Sequence, residues 1–395
     1  MADVGSGREE CWTAGVDRSV GFRPGGYRTP SPPAWTPDGR SVITLLADEG
    51  TTQLVRLGAG EEPPTWLTRA RHVVQEVSLA ADGRRAALLR TDAVTPSELW
   101  LWEDGGEAAR LAGFNDSVLR EVVVRRPEPR EVRRPDGFVI HGWLTKPGVR
   151  LPAPLVLMVH GGPHNAFGHT FSPDLQLWAG AGYAVLQVNP RGSGSYGEAF
   201  ARAVLLDWGG ADWEDIVAVL DTVLDDPGSG VDRRRTAIMG GSYGGFMTCW
   251  AVTQTDRFAV ASAGAPLTNL ESEYGTADIG PTWFAEEQGG TPLTAQDRYR
   301  ARSALPLADR VTTPLLLYHG EADLRVPIEQ SEQFFTALTA LGREVELLRV
   351  PREGHVLPGD ASPVHRRLVR EAIRDWFARY LEPGLPDGAG EPSRA

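Results

Sequence analysis

From about residue 131 onward, six short apolar runs constrain the fold more than any other feature of the chain. They are Leu155–Val159, Tyr183–Val188, Thr236–Met239, Ala259–Ala263, Leu315–Tyr318 and Val345–Val350. A strand with one wet face alternates apolar and polar residues; these do not, so both of their faces must be covered. Helix-length stretches separate them, at Asp212–Leu224, Gly245–Thr253, Glu329–Leu341 and Val364–Leu381. That order predicts an α/β fold, a mostly parallel sheet with helices on both faces. Just ahead of it, "EVRRPDGFVIHGWL" reads as an antiparallel hairpin turning at Asp136-Gly137.

The N-terminal part has another rhythm. From Pro30 to about Arg120, short apolar runs are cut by turns, and "WTPDGRSVITLL" is echoed by "SLAADGRRAALL". Asp-Gly between strand-like runs signals a hairpin. The two copies, Asp38-Gly39 and Asp82-Gly83, are spaced like one unit of a propeller, about 40–45 residues. The expected division is a loose lead over 1–28 and an all-β segment of about two propeller-like blades over 29–120. An α/β domain then covers 121–383, and a disordered tail 384–395.

"MGGSYGGF" (Met239–Phe246) sets one serine among four glycines, between a buried-type strand and a helix. Gly240-x-Ser242-x-Gly244 is the pattern of a nucleophile elbow. A sharp strand-to-helix turn strains the serine's backbone and crowds its second neighbours, so glycine is needed there. The helix that follows aims its positive end at the site.

A serine hydroxyl needs a base. In a fold of this kind the partners follow the serine in the order acid, then histidine. His355, in the loop "VPREGHVLPG", can face the site; His365, near a helix start beside two arginines, suits a surface. Asp323 in "YHGEADLRVP" is the expected acid, with Glu321 as runner-up. Strand ends place Ser242, Asp323 and His355 on the carboxyl edge of the sheet, where such sheets bind ligands. For an oxyanion hole, the backbone N–H of Tyr243 follows the nucleophile. "HGGPH" offers a second donor, Gly162 with Gly161 as runner-up, since Pro163 has no N–H. Arg191, after the strand Tyr183–Val188, is either a substrate-binding cation or half of a structural ion pair. Trp283 and Phe284, in a long segment between two strands, line an apolar substrate pocket or form that segment's own core.

Several chemistries are disfavoured. A net charge of −12 argues against nucleic acid, which demands a basic surface. His160 and His164 have helical metal-site spacing, but the Gly161-Gly162-Pro163 between them cannot form a helix interior, so no metal is expected. "GSGSYG" matches a dinucleotide pattern without opening a helix directly, so no cofactor is expected. Lys146, the only lysine, is the sole base open to a serine–lysine dyad. Two cysteines exclude a disulfide framework. With no apparent signal peptide or membrane span, the expected location is the cytoplasm.

Taken as a set, "HGGPH", "NPRGSGSYG", "GGSYGGF", "YHGEADLRVP" and "EGH" resemble the prolyl oligopeptidase family of serine peptidases, in particular acylaminoacyl and related dipeptidyl peptidases. The resemblance covers about residues 121–383. It implies an α/β-hydrolase domain with Ser242, Asp323 and His355 as triad, acting on short peptides or N-terminally blocked ones through an acyl-enzyme. Family members carry a complete N-terminal propeller, whereas about two blades cannot close a ring and leave unpaired edges. The expected partners are therefore a small peptide substrate and a second copy of the chain covering the open edge. Two other readings share these residues: a carboxylesterase-like hydrolase, and a non-catalytic remnant acting as an interaction module.

Overall fold

The computed structural model describes residues 7, 9–13, 15–25, 31–59, 63–149, 151–357 and 359–382. The tail expected at 384–395 and the first six residues of the expected lead lie outside the described residues. The chain forms two compact units. One gathers Met1–Arg126 with two later segments, His164–Asp174 and Ser193–Ala201; the other gathers Pro127–Pro163, Leu175–Gly192 and Arg202–Ala395.

The first unit is built on two four-stranded antiparallel meanders. The first contains β1 (Ala34–Trp35), β2 (Ser41–Asp48), β3 (Thr51–Gly58) and β4 (Thr65–Trp66). The second contains β5 (Val73–Leu79), β6 (Arg85–Thr91), β7 (Glu98–Glu103) and β8 (Ala109–Ala112). A single parallel pair, Thr52 with Val73, joins them. The two Asp-Gly turns occupy the same place in each meander, the first hairpin, and both glycines have φ of +67°. Ile43, Leu45, Leu54, Val74, Leu88 and Trp102 form the apolar core between the strands.

Two features of this unit depart from the sequence expectation. Part of the loose lead is ordered against β2: Val20 bridges Leu46, and the Gly21 N–H bonds the Leu45 carbonyl at 2.8 Å. The two later segments also belong here through backbone bonds that no local pattern announces. The Glu49 N–H reaches the Ser195 carbonyl at 2.9 Å and the His169 N–H reaches Gly50 at 2.8 Å.

The second unit holds an eight-stranded sheet. Its strands are β9 (Glu128–Arg133), β10 (Val139–Thr145), β11 (Ala153–Val159), β12 (Ala184–Asn189), β13 (Val231–Gly241), β14 (Val260–Gly264), β15 (Leu315–Gly320) and β16 (Val345–Val350). They lie in the order β16-β15-β14-β13-β11-β12-β10-β9. β11 to β16 run parallel, while β10 pairs antiparallel with β12 and closes the expected hairpin with β9.

Both faces of the sheet are covered, as unalternating strands require. On one face, Val156, Val185, Met239, Val260 and Leu316 pack with Trp376 and Phe377 of the helix Pro363–Tyr380. Burying one such ring contributes about 2–3 kcal/mol. The central helix Tyr243–Gln254 is apolar on all sides, and every residue from Tyr243 to Thr253 is buried. A helix of that kind can only sit inside a core. No helix among the described residues is long and apolar enough to cross a membrane.

Candidate active site

Ser242 stands at the junction of β13 and the central helix, with φ of 60° and ψ of −123°. A non-glycine residue held there stores about 1–3 kcal/mol of strain, so the surroundings must over-determine it. They do so from both sides. The Ser242 N–H bonds the Gly264 carbonyl at 2.9 Å, and the Ser242 carbonyl takes the Phe246 N–H at 2.8 Å. The glycines have a packing reason. A Cβ on Gly244 would lie 2.3 Å from the Val159 carbonyl oxygen, and one on Gly240 would lie 2.6 Å from the Gly244 backbone. The first turn of the helix is thereby pressed against the end of β11.

Ser242, His355 and Asp323 come together. The Ser242 hydroxyl donates to His355 Nε2 at 2.9 Å, and His355 Nδ1 donates to Asp323 Oδ2 at 2.7 Å. Asp323 follows β15 and is buried, while the imidazole keeps a partly open face. The other Asp323 oxygen accepts the N–H groups of Arg325 and Val326 at 2.9 and 3.0 Å. Burial alone would raise the Asp323 carboxyl. The hydrogen bonds from His319, His355 and the Val326 amide outweigh it and hold the group well below the usual carboxylate range. The alternatives are committed elsewhere: Glu321 pairs with Arg349 at 2.9 Å, and His365 faces Glu353 at 2.5 Å. Lys146 reaches the Gly228 carbonyl at 3.1 Å and Glu128 at 3.5 Å.

Of the two residues expected to offer oxyanion donors, Tyr243 follows Ser242 directly and opens the central helix. Gly162 follows β11 with φ of +122°, a conformation open to glycine. The Tyr243 side chain is anchored inward, its hydroxyl donating to Asp212 Oδ2 at 2.5 Å and its ring crossing Trp208 edge-on at 5.1 Å. Burial pushes the Asp212 carboxyl up to about 6, against the bonds from Tyr243, Gly209 and Trp213. Tyr243 thus orients its backbone through a side chain held away from the edge.

The substrate contacts expected of Arg191 and Phe284 need correction. The Arg191 guanidinium is buried and fully engaged, by Asp215 at 2.8 and 2.9 Å and by Asp136 at 2.8 Å. It is the structural ion pair of the two readings, tying the loop after β12 to the β9–β10 turn and the helix Ala211–Asp225. Phe284 is fully buried against Trp208 and Tyr299, so it fills core that its segment shares with distant parts of the chain. Trp283 is half-buried beside Trp208, their ring centroids 6.1 Å apart.

Two groups escaped sequence reasoning. His319, four residues before Asp323 in "YHGEAD", is buried; its Nε2 donates to the Val326 carbonyl at 2.8 Å and lies 3.4 Å from Asp323 Oδ2. The i, i+4 spacing was the available signal, but only histidines after the acid were weighed as base. Glu273 is also fully buried, and neither carboxyl oxygen has a hydrogen-bond partner among the described residues. Burial, then the nearby charges of Glu329, Asp323 and Asp278, push its carboxyl up to about 9, with Arg325 opposing. Because the folded value is raised, its contribution to stability is complete below the ordinary range and is lost as pH climbs toward 9. Thermal melts of Glu273→Gln and wild type should therefore diverge in favour of the variant between about pH 5 and pH 9. A constant difference across that range would remove the buried proton from the account.

A parallel sheet, an elbow serine and an acid and histidine on later strand ends define an α/β hydrolase, here preceded by an all-β segment. The chain belongs to the prolyl oligopeptidase family, whose model matches residues 169–384. It is 36% identical to the uncharacterized peptidase YuxL of Bacillus subtilis, over 88% of this chain and 53% of that protein. It is 28% identical to dipeptidyl-peptidase 5 of Porphyromonas gingivalis, over 88% of this chain and 51% of that one. The acylaminoacyl peptidase structure of Pyrococcus horikoshii matches it with a TM-score of 0.83 at 30% identity, covering 95% of this chain and 58% of that one. The chain thus spans about half the length of the curated relatives it matches.

Proposed function

We propose that this chain is a serine peptidase that hydrolyses short or N-terminally blocked peptides. The observation that carries the reading is the continuous line of hydrogen bonds from Ser242 through His355 to Asp323. His355 Nε2 takes the Ser242 proton as Oγ attacks the substrate carbonyl. The tetrahedral oxyanion is met by the N–H groups of Tyr243 and Gly162, each worth about 2.7–4 kcal/mol of barrier. His355 then protonates the leaving nitrogen, the C–N bond breaks and an acyl-Ser242 ester remains. Water, deprotonated by the same imidazole, releases the acid. Asp323 keeps the proton on Nδ1 and stabilises the imidazolium as it forms. Relatives named as acylaminoacyl and dipeptidyl peptidases support a short peptide or blocked amino-terminal residue as substrate. Trp283 is assigned to the apolar wall of the acyl pocket.

A peptidase must protonate a poor leaving group, whereas an ester leaves without help. Matched p-nitroanilide and p-nitrophenyl ester substrates separate the two. The peptidase reading expects steady anilide turnover. Rapid ester cleavage with negligible anilide rate would replace it with an esterase.

A further inference from the structure

We propose that Glu273 determines specificity at this site: its carboxylate receives the ammonium or guanidinium of a lysine or arginine whose carbonyl Ser242 attacks. The inference rests on the peptidase reading above and deepens it.

Position comes first. β14 lies between β13, which carries Ser242, and β15, which leads to Asp323. The helix Leu270–Thr276, which holds Glu273, rises from the carboxyl end of β14. It is tied down on both sides. The Gly264 carbonyl takes the Ser242 N–H at 2.9 Å, and the Asp278 N–H bonds Leu324, the residue after Asp323, at 2.9 Å. Arg325 closes the same loop onto Asp278 at 2.7 Å. Glu273 is therefore carried over the gap between the nucleophile and its acid, on the edge where an acyl group must lie.

Chemistry comes second. Glu273 is surrounded by acids that all have partners. Asp278 has Arg325; Glu329 accepts from Thr276 at 3.0 Å and from Gln330 at 2.9 Å; Asp323 has His355 and two amides. Glu273 has neither a cation nor a donor among the described residues, although it is fully buried. A buried carboxyl without a partner is costly, and an apolar residue of similar size would be cheaper. A cation arriving with the substrate supplies the missing partner and lets the group ionise. Arg325 is directed at Asp278 through Nε and Nη2 and makes no ion pair with Glu273 among the described residues. Since the carboxyl is covered in the free chain, binding requires its rotamer to turn outward, a change common at binding surfaces.

The test compares kcat/KM for acetyl-capped p-nitroanilides of arginine, lysine, citrulline and leucine, on wild type, Glu273→Gln and Glu273→Leu. Wild type should favour arginine and lysine over citrulline and leucine. Either variant should lower the arginine-to-leucine ratio by about 10²-fold while leaving the leucine rate in place. An unchanged ratio, a wild type indifferent to charge, or an equal loss on all four substrates would overturn the proposal. The same substrates with a free amino group form a second arm. If only they respond to the variants, the cation is the peptide's own terminus and the side-chain assignment falls. Labelling of Ser242 by a neutral fluorophosphonate, run in parallel, reports the nucleophile alone. Its failure in wild type sinks the peptidase reading, and this inference with it, whereas intact labelling with an unmoved ratio sinks only this inference.

Discussion

Replacing Ser242 with alanine should leave a folded chain with peptide-amide and ester turnover reduced by about 10⁶-fold. The Oγ is the only atom that bonds to the substrate in the proposed reaction, so nothing else can take its place. The oxyanion donors are backbone groups and survive the change. Residual rates about 10³–10⁴-fold above those in water are therefore expected. Alanine can be tolerated at φ of 60° only because the surroundings already impose that conformation on a non-glycine residue. The variant should melt near the wild-type temperature and fail to react with a fluorophosphonate. Undiminished labelling would show that another hydroxyl is the nucleophile.

Asp323→Asn should lower kcat by about 10⁴-fold with a far smaller effect on KM. The reason is directional. One Asp323 oxygen already accepts two amides, from Arg325 and Val326, and the other faces His355 Nδ1 and His319 Nε2. An asparagine must give its single oxygen to one side. Keeping the two backbone bonds turns its NH₂ toward His355, which must then accept at Nδ1 and carry its proton on Nε2. That nitrogen is the one that has to accept from Ser242. The same NH₂ also confronts the His319 N–H, so the variant should melt lower as well. Steady-state kinetics and a thermal melt check both effects. A variant keeping a tenth of the wild-type rate would dismiss Asp323 from this role.

These effects mark where sequence reasoning reached and where it stopped. Ser242 was readable because its constraint is local: the strand, the elbow glycines and the helix are contiguous, and a Cβ on Gly244 meets a carbonyl that any such turn would bring near. His355 and Asp323 were readable because parallel strands deliver their following loops to one edge. Arg191 was left between two readings, since pattern cannot say whether Asp215 and Asp136 fold toward it; they do. Phe284 raised the same difficulty, for whether an aromatic lines a pocket or fills a core depends on partners such as Trp208, distant in sequence. His319 stands inside "YHGEADLRVP", where pattern gives it no role, and Glu273 belongs to no motif. Their meaning lies in what surrounds them: a carboxylate in one case, and missing partners in the other.

By itself, the sequence determined the alternation of buried strands and helices, the strained serine and the order of its partners. Period and turn chemistry act over a few residues, and strand polarity carries their consequence to one edge. Only the tertiary structure decided which charges are spent on each other, which rings are core, and that two later segments join the first unit. Those outcomes depend on side chains meeting across long stretches of chain, and no local pattern encodes such meetings.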